Sequence, residues 1–114
     1  MEPQLKNRHC KPCEKGSPAL DSATTRLLLA EVPGWSLRTE AGQPVKLTRG
    51  YEFADFSAAM AFVDKVAAIA EEEQHHPDFC VHYSRVDVTV WTHTVSGLSD
   101  NDFIIAAKLD AALP

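Results

Sequence analysis

Two hydrophobic periods alternate along this chain, and the switches between them mark its elements. Residues 1–19 show neither period. They are polar and broken by Pro3, Pro12, Gly16 and Pro18, which predicts a flexible or irregular N-terminal arm. The pattern changes at Leu20. Asp21 and Ser22 can cap a helix that runs through Arg26, Leu27, Leu28, Leu29 and Ala30, and Pro33-Gly34 ends it. From Trp35 to Glu40 the period falls to two, with Trp35, Leu37 and Thr39 on one parity. Ala41-Gly42-Gln43-Pro44 is turn chemistry, and Val45, Leu47, Arg49, Tyr51 and Phe53 then share a parity. A β-hairpin over residues 35–53 follows.

Asp55 caps the next element, in which Phe56, Met60, Val63, Ala67 and Ala70 recur at helical steps. Abundant alanine favours the helix intrinsically. It should end near Gln74-His75, because Pro77 disfavours helical backbone at His76. Phe79, Val81 and Tyr83 alternate with Cys80 and His82. Val86, Val88, Val90 and Thr92 alternate with Asp87, Thr89, Trp91 and His93. The Ser84-Arg85 pair between these runs suggests a second tight hairpin. Gly97 breaks the strand pattern. Ser99 then opens a capping box with Asp102, ahead of a short helix carrying Phe103, Ile104, Ala106, Ala107 and Leu109.

Residues 20–114 therefore read as one α+β domain in the order α-β-β-α-β-β-α. The expected architecture is a four-stranded antiparallel sheet with three helices packed on one face. At 114 residues, with 45% hydrophobic and 24% charged positions, the chain suits a single globular domain. Its 11 Lys+Arg against 16 Asp+Glu give a net charge of −5, a poor match for non-specific nucleic-acid binding. No apolar run approaches the ~20 residues that span a bilayer, so no membrane segment is expected. The N-terminal stretch carries charge but no apolar core, so no secretory signal is expected. Three cysteines, an odd number, fit a reducing cytoplasm.

The run Glu71-Glu72-Glu73-Gln74-His75-His76-Pro77-Asp78 is the richest in chemistry. It places two imidazoles at a helix end, and imidazole is the side chain whose ordinary pKa suits proton transfer near neutrality. Glu71 lies four residues before His75, so on a helix the two can touch. A charged, solvated helix end carrying two incidental histidines would have the same composition. His93 ends an apolar strand, where a packed or surface role is the plainer one. Asp102 is accounted for by capping alone. Three histidines raise the question of zinc, but His75 and His76 are adjacent and no His-x-x-x-His pair is present, so no metal is expected. Cys10-Lys11-Pro12-Cys13 is a lone Cys-x-x-Cys pair with no second pair downstream, read as an exposed feature of the arm without a role in chemistry.

Taken together, Glu71-x-x-x-His75-His76-Pro77-Asp78, the Thr92-His93 strand end and Gly97-Leu98-Ser99-x-x-Asp102 resemble the pterin-4a-carbinolamine dehydratase family. Gly34-Trp35 and Phe53-x-Asp55-Phe56 agree with it, and the resemblance covers residues 20–112. Phe79 stands where many members have Trp, and Gln74 where some have Asp. The resemblance implies a cytoplasmic hydro-lyase that needs neither metal nor cofactor. Its substrate would be 4a-hydroxytetrahydropterin and its product quinonoid dihydropterin, which recycles tetrahydropterin for an aromatic amino-acid hydroxylase. His75, His76 and His93 would be the catalytic histidines. Glu71 would support His75, Asp102 would support the site, and Pro77, Asp78 and Phe79 would bind substrate. Loss of water needs one proton delivered and one removed, which is general acid–base work. His75 is assigned as base and His93 as acid, with the order open, and His76 to binding or proton shuttling. The family also implies a homo-dimer or homo-tetramer. The alternatives are a non-catalytic dimerisation cofactor for a transcription factor, as one animal member is, or a pterin-binding accessory protein.

Overall fold

The computed structural model describes residues 4–113. The helices are α1 (Ser22–Leu29), α2 (Phe56–Glu73) and α3 (Asp100–Ala111). The strands are β1 (Ser36–Glu40), β2 (Gln43–Glu52), β3 (Asp78–His82) and β4 (Arg85–Val90). Short 3-10 turns occupy Leu5–Asn7 and His93–Val95. All strand pairs are antiparallel, in the spatial order β1-β2-β4-β3. The expected α+β class, element order and sheet are therefore what the chain forms.

The capping residues act as their types require. Asp21 accepts from the Thr24 N–H at 2.7 Å, and Asp55 accepts from the Ala58 N–H at 2.8 Å. Ala41 and Gly42 both have positive φ (51° and 79°), the geometry of a two-residue turn that matches strand twist. The second turn falls on Tyr83-Ser84, not Ser84-Arg85: Arg85 is already paired with His82. A bulge between Arg38 and Thr39 lets Pro44, which has no N–H, sit opposite Thr39.

One face of the sheet, with Leu47 and Tyr51 of β2 and Val86, Val88 and Val90 of β4, is buried under the helices. α3 is more than a short terminal helix. Phe103, Ile104, Ile105, Ala106 and Leu109 are all buried, so it is central to the core. The buried stripe of α2 is Ala59, Phe62, Val66 and Ala70, which shares only Ala70 with the expected one. Phe56 and Ala67 are exposed. α2 is apolar over more than one stripe, and the sheet takes the one carrying Phe62, whose ring packs on Tyr51 and Phe53 at 4.6 and 5.2 Å.

Residues 4–19 are irregular apart from one turn, but they do not stand away from the domain. Leu5 is buried in the main core. Arg8 bonds Asp100 at 3.2 Å, and the Leu20 N–H bonds the Leu98 carbonyl at 2.9 Å. Residue 19 thus marks a change in backbone regularity rather than a packing boundary.

Candidate active site

α2 stops where its sequence says it should. Gln74 takes the left-handed conformation (φ 52°) as C-cap, and its N–H reaches back to the Ala70 carbonyl. This reversal throws His75 off the helix axis and toward the N-terminus of α3. There the His75 Nε2 lies 2.7 Å from Asp102 Oδ1. The expected Glu71–His75 contact is not made. The αL cap breaks the i,i+4 relation, and Glu71 instead bonds His76 Nε2 at 3.2 Å in an exposed pair.

Asp102 is fully buried. Its Oδ2 accepts from the Ser99 N–H at 3.0 Å, closing the capping box, and from the Thr92 hydroxyl at 2.9 Å. Thr92 is in turn held by the Ser99 hydroxyl at 2.7 Å. Burying a carboxylate costs several kcal/mol unless its oxygens are bonded, and here three donors converge on it. A carboxylate only accepts, so this bond places the His75 proton on Nε2. The Nδ1 lone pair has no protein partner among the described residues.

His93 opens the 3-10 turn after β4, which is clamped by the Thr92–Gly97 bridge. Its ring stacks on Trp91 with centroids 4.3 Å apart, and the Lys46 ammonium lies 4.4 Å from the Trp91 centroid. His75, His76, His93 and Thr92 all line one cavity of about 720 Å³, with Asp102 behind His75. Pro77, Asp78 and Phe79 are not in its wall. Asp78 and Phe79 begin β3, where Phe79 is 40% exposed.

The other wall is one the sequence reading did not foresee. Cys10, Lys11, Pro12 and Cys13 line the same cavity, together with Asn101. Both cysteines are partly buried rather than exposed. Burial, reinforced by the neighbouring Glu73 charge, pushes the Cys10 thiol up to about 12. Burial also works against the Glu73 carboxylate, but the Cys10 N–H, His9 and Lys108 outweigh it and hold its pKa below the ordinary value. The Cys-x-x-Cys spacing was visible in the sequence, but nothing in it showed that the arm folds back. Among the described residues no three of His, Cys, Asp and Glu gather closely enough to hold a metal ion.

The family model described as Pterin 4 alpha carbinolamine dehydratase matches residues 18–112. A Rubrobacter xylanophilus protein provisionally named pterin-4-alpha-carbinolamine dehydratase is 38% identical, covering 94% of this chain and 96% of its own. A Xanthomonas euvesicatoria protein of the same provisional name is 50% identical, covering 91% and 86%. Among solved structures, the transcriptional coactivator/pterin dehydratase of Brucella melitensis is similar with a TM-score of 0.75 and 33% identity, covering 84% of this chain and 99% of its own. A pterin dehydratase-like protein identified as a RuBisCO assembly factor in the alpha-carboxysome gives a TM-score of 0.58 at 25% identity, covering 68% and 87%.

Proposed function

This chain belongs to the pterin 4 alpha carbinolamine dehydratase family, and we propose that it catalyses the dehydration of 4a-hydroxytetrahydropterin to quinonoid dihydropterin. The observation that carries this reading is the His75–Asp102 pair, 2.7 Å long, at a cavity that His76 and His93 share. With its proton on Nε2, His75 offers Nδ1 as a base. It takes the proton from N5 of the pterin ring, and the electrons of that N–H bond form the C4a=N5 double bond. The C4a–O bond breaks as His93 delivers a proton to the leaving hydroxyl, which departs as water. One proton is taken and one given, so the enzyme needs only to exchange them before the next turnover. His76, exposed and paired with Glu71, binds substrate or relays protons with solvent.

The decisive experiment is a stopped assay in which an aromatic amino-acid hydroxylase generates the carbinolamine, with the spontaneous rate subtracted. Acceleration by the wild-type chain and its loss in His75→Ala supports the reading. Absence of acceleration sinks it and moves a non-catalytic binding role ahead. On this reading the protein works beside a hydroxylase that releases the carbinolamine.

The reading extends to assembly. Phe56 is 50% exposed and Tyr83 is 70% exposed, and the two rings stack at 6.4 Å. They lie by β3, whose outer edge is unpaired among the described residues. An apolar patch beside an open edge invites a second copy, so the working form is a homo-dimer or homo-tetramer.

A further inference from the structure

The acid–base chemistry leaves the arm unexplained, yet Cys10, Lys11, Pro12 and Cys13 line the cavity that holds His75 and His93. Two anchors keep the arm there. Asn101 donates from Nδ2 to the Lys11 carbonyl at 2.6 Å and accepts from the Lys11 N–H at 2.9 Å. One side chain thereby satisfies both backbone groups of Lys11. The same Nδ2 lies 3.5 Å from the Cys13 sulfur, and the Asn101 carbonyl accepts from the Cys10 thiol at 3.6 Å. Glu73, with its side chain only 2% exposed, accepts from the Cys10 N–H at 2.7 Å and meets His9 Nδ1 at 2.9 Å. Buried polar groups are costly when unbonded, and the docked arm supplies the Asn101 side-chain partners and two of those of Glu73, with Lys108 at 3.5 Å as a further one. The anchors also adjoin the His75–Asp102 pair in the chain. Asn101 precedes Asp102, and Glu73 lies two residues before His75.

We propose that residues 10–13 form a substrate-binding wall of this pocket, and that Asn101 and Glu73 are the positioning residues that hold the wall in place. The proposal rests on the pterin-dehydrating reading of the site. Its chemistry suits that ligand. A pterin is a flat heterocycle, and Pro12 with the two sulfurs offers a weakly polar, polarisable surface for a ring face. Binding then requires the docked arm, so the apparent KM varies inversely with the docked fraction, while kcat, set by His75 and His93, does not.

The arm carries its own reporter. The Cys10 thiol is held largely protonated by burial while docked, so alkylation by iodoacetamide counts undocked arms. A Cys80→Ser background removes the exposed thiol on β3. Asn101→Ala breaks both bonds to Lys11. A fall of the docked fraction to about a tenth raises KM about ten-fold with kcat within about two-fold. Alkylation of Cys10 should accelerate in parallel, and 7,8-dihydropterin should slow it in the otherwise wild-type background. Pro12→Gly leaves both anchors intact but removes the ring that lies against the pterin, so KM should rise about three-fold through the lost contact. It carries the test should Asn101→Ala fail to fold. Faster alkylation with unchanged KM, or no protection by the pterin, overturns the proposal. A wild-type protein that fails to accelerate dehydration defeats the functional reading separately, and pterin protection of Cys10 then still decides whether the arm touches the ligand.

Discussion

Asp102→Asn is the most informative single change, because the surrounding donors dictate how the new amide must sit. Oδ2 of Asp102 receives the Ser99 N–H and the Thr92 hydroxyl, so the Asn carbonyl must take that place. The amide NH2 is then forced toward His75 Nε2, 2.7 Å away in the parent protein. An NH2 group donates, so Nε2 becomes the acceptor and the imidazole proton moves to Nδ1. The base is lost without removing either side chain. A positioned general base contributes about 10²–10⁴-fold, or about 3–5 kcal/mol of barrier. The charge-assisted bonds to Ser99 and Thr92 become neutral ones, at a cost of about 1–2 kcal/mol in stability, small enough for the fold to survive. The assay is hydroxylase-coupled dehydration with the spontaneous rate subtracted. Circular dichroism checks the fold, and 15N imidazole spectra check the tautomer. A folded variant that turns over at the wild-type rate would refute the claim that Asp102 sets the His75 tautomer.

Three other outcomes follow from the same geometry. His75→Ala combined with His93→Ala should abolish nearly all catalysis above the spontaneous rate and leave the far-ultraviolet spectrum unchanged. Asp110→Ala should lower the urea unfolding free energy by about 2–4 kcal/mol with turnover retained, since Trp35, Arg49 and Tyr51 all donate to its one Oδ1, at 3.0, 2.8 and 2.6 Å. Glu73 has a depressed folded-state pKa, so its contribution is present above its ordinary value of 4.5 and is lost as pH falls through the folded pKa. Cys10 alkylation, corrected for intrinsic thiol reactivity, should report arm release on acidification, and Glu73→Gln should flatten that dependence.

The elements were legible because their signals are local. Asp21 and Asp55 cap helices with their own side chains, Ala41-Gly42 supplies two positive φ values, and Val86, Val88 and Val90 keep the period of a strand. The site was legible only in its residue types. His75, His76, His93 and Asp102 were all named from the sequence, but the partner of His75 was not. The helical i,i+4 rule assigns Glu71 to it, and the rule holds only as far as the helix does. Gln74 ends α2 in the left-handed region, and one residue of reversed backbone hands His75 to a carboxylate 27 positions away. The arm was opaque for a related reason. Its anchors, Asn101 and Glu73, lie 90 and 63 residues from the groups they bind, beyond any local pattern.

α2 shows how a correct period can still point to the wrong face. Phe56, Met60, Val63, Ala67 and Ala70 repeat at helical spacing, and so do Ala59, Phe62, Val66 and the same Ala70. Periodicity cannot rank two apolar stripes on one helix; only the shape of the surface that receives them can. The sheet presents Tyr51 and Phe53 to Phe62, so the second stripe enters the core and the first is left outward or at its margin. A surplus stripe on a monomer would carry the cost of exposed apolar surface with no return. That surplus ends in Phe56, stacked on Tyr83 next to the edge of β3 that no described strand covers. The stripe the core rejects is therefore the surface a second copy would cover. Tyr83→Lys should shift the sedimentation coefficient toward the monomer value at micromolar protein. A wild-type chain that sediments only as a monomer under those conditions would leave the exposed stripe without its explanation and the oligomer reading without support.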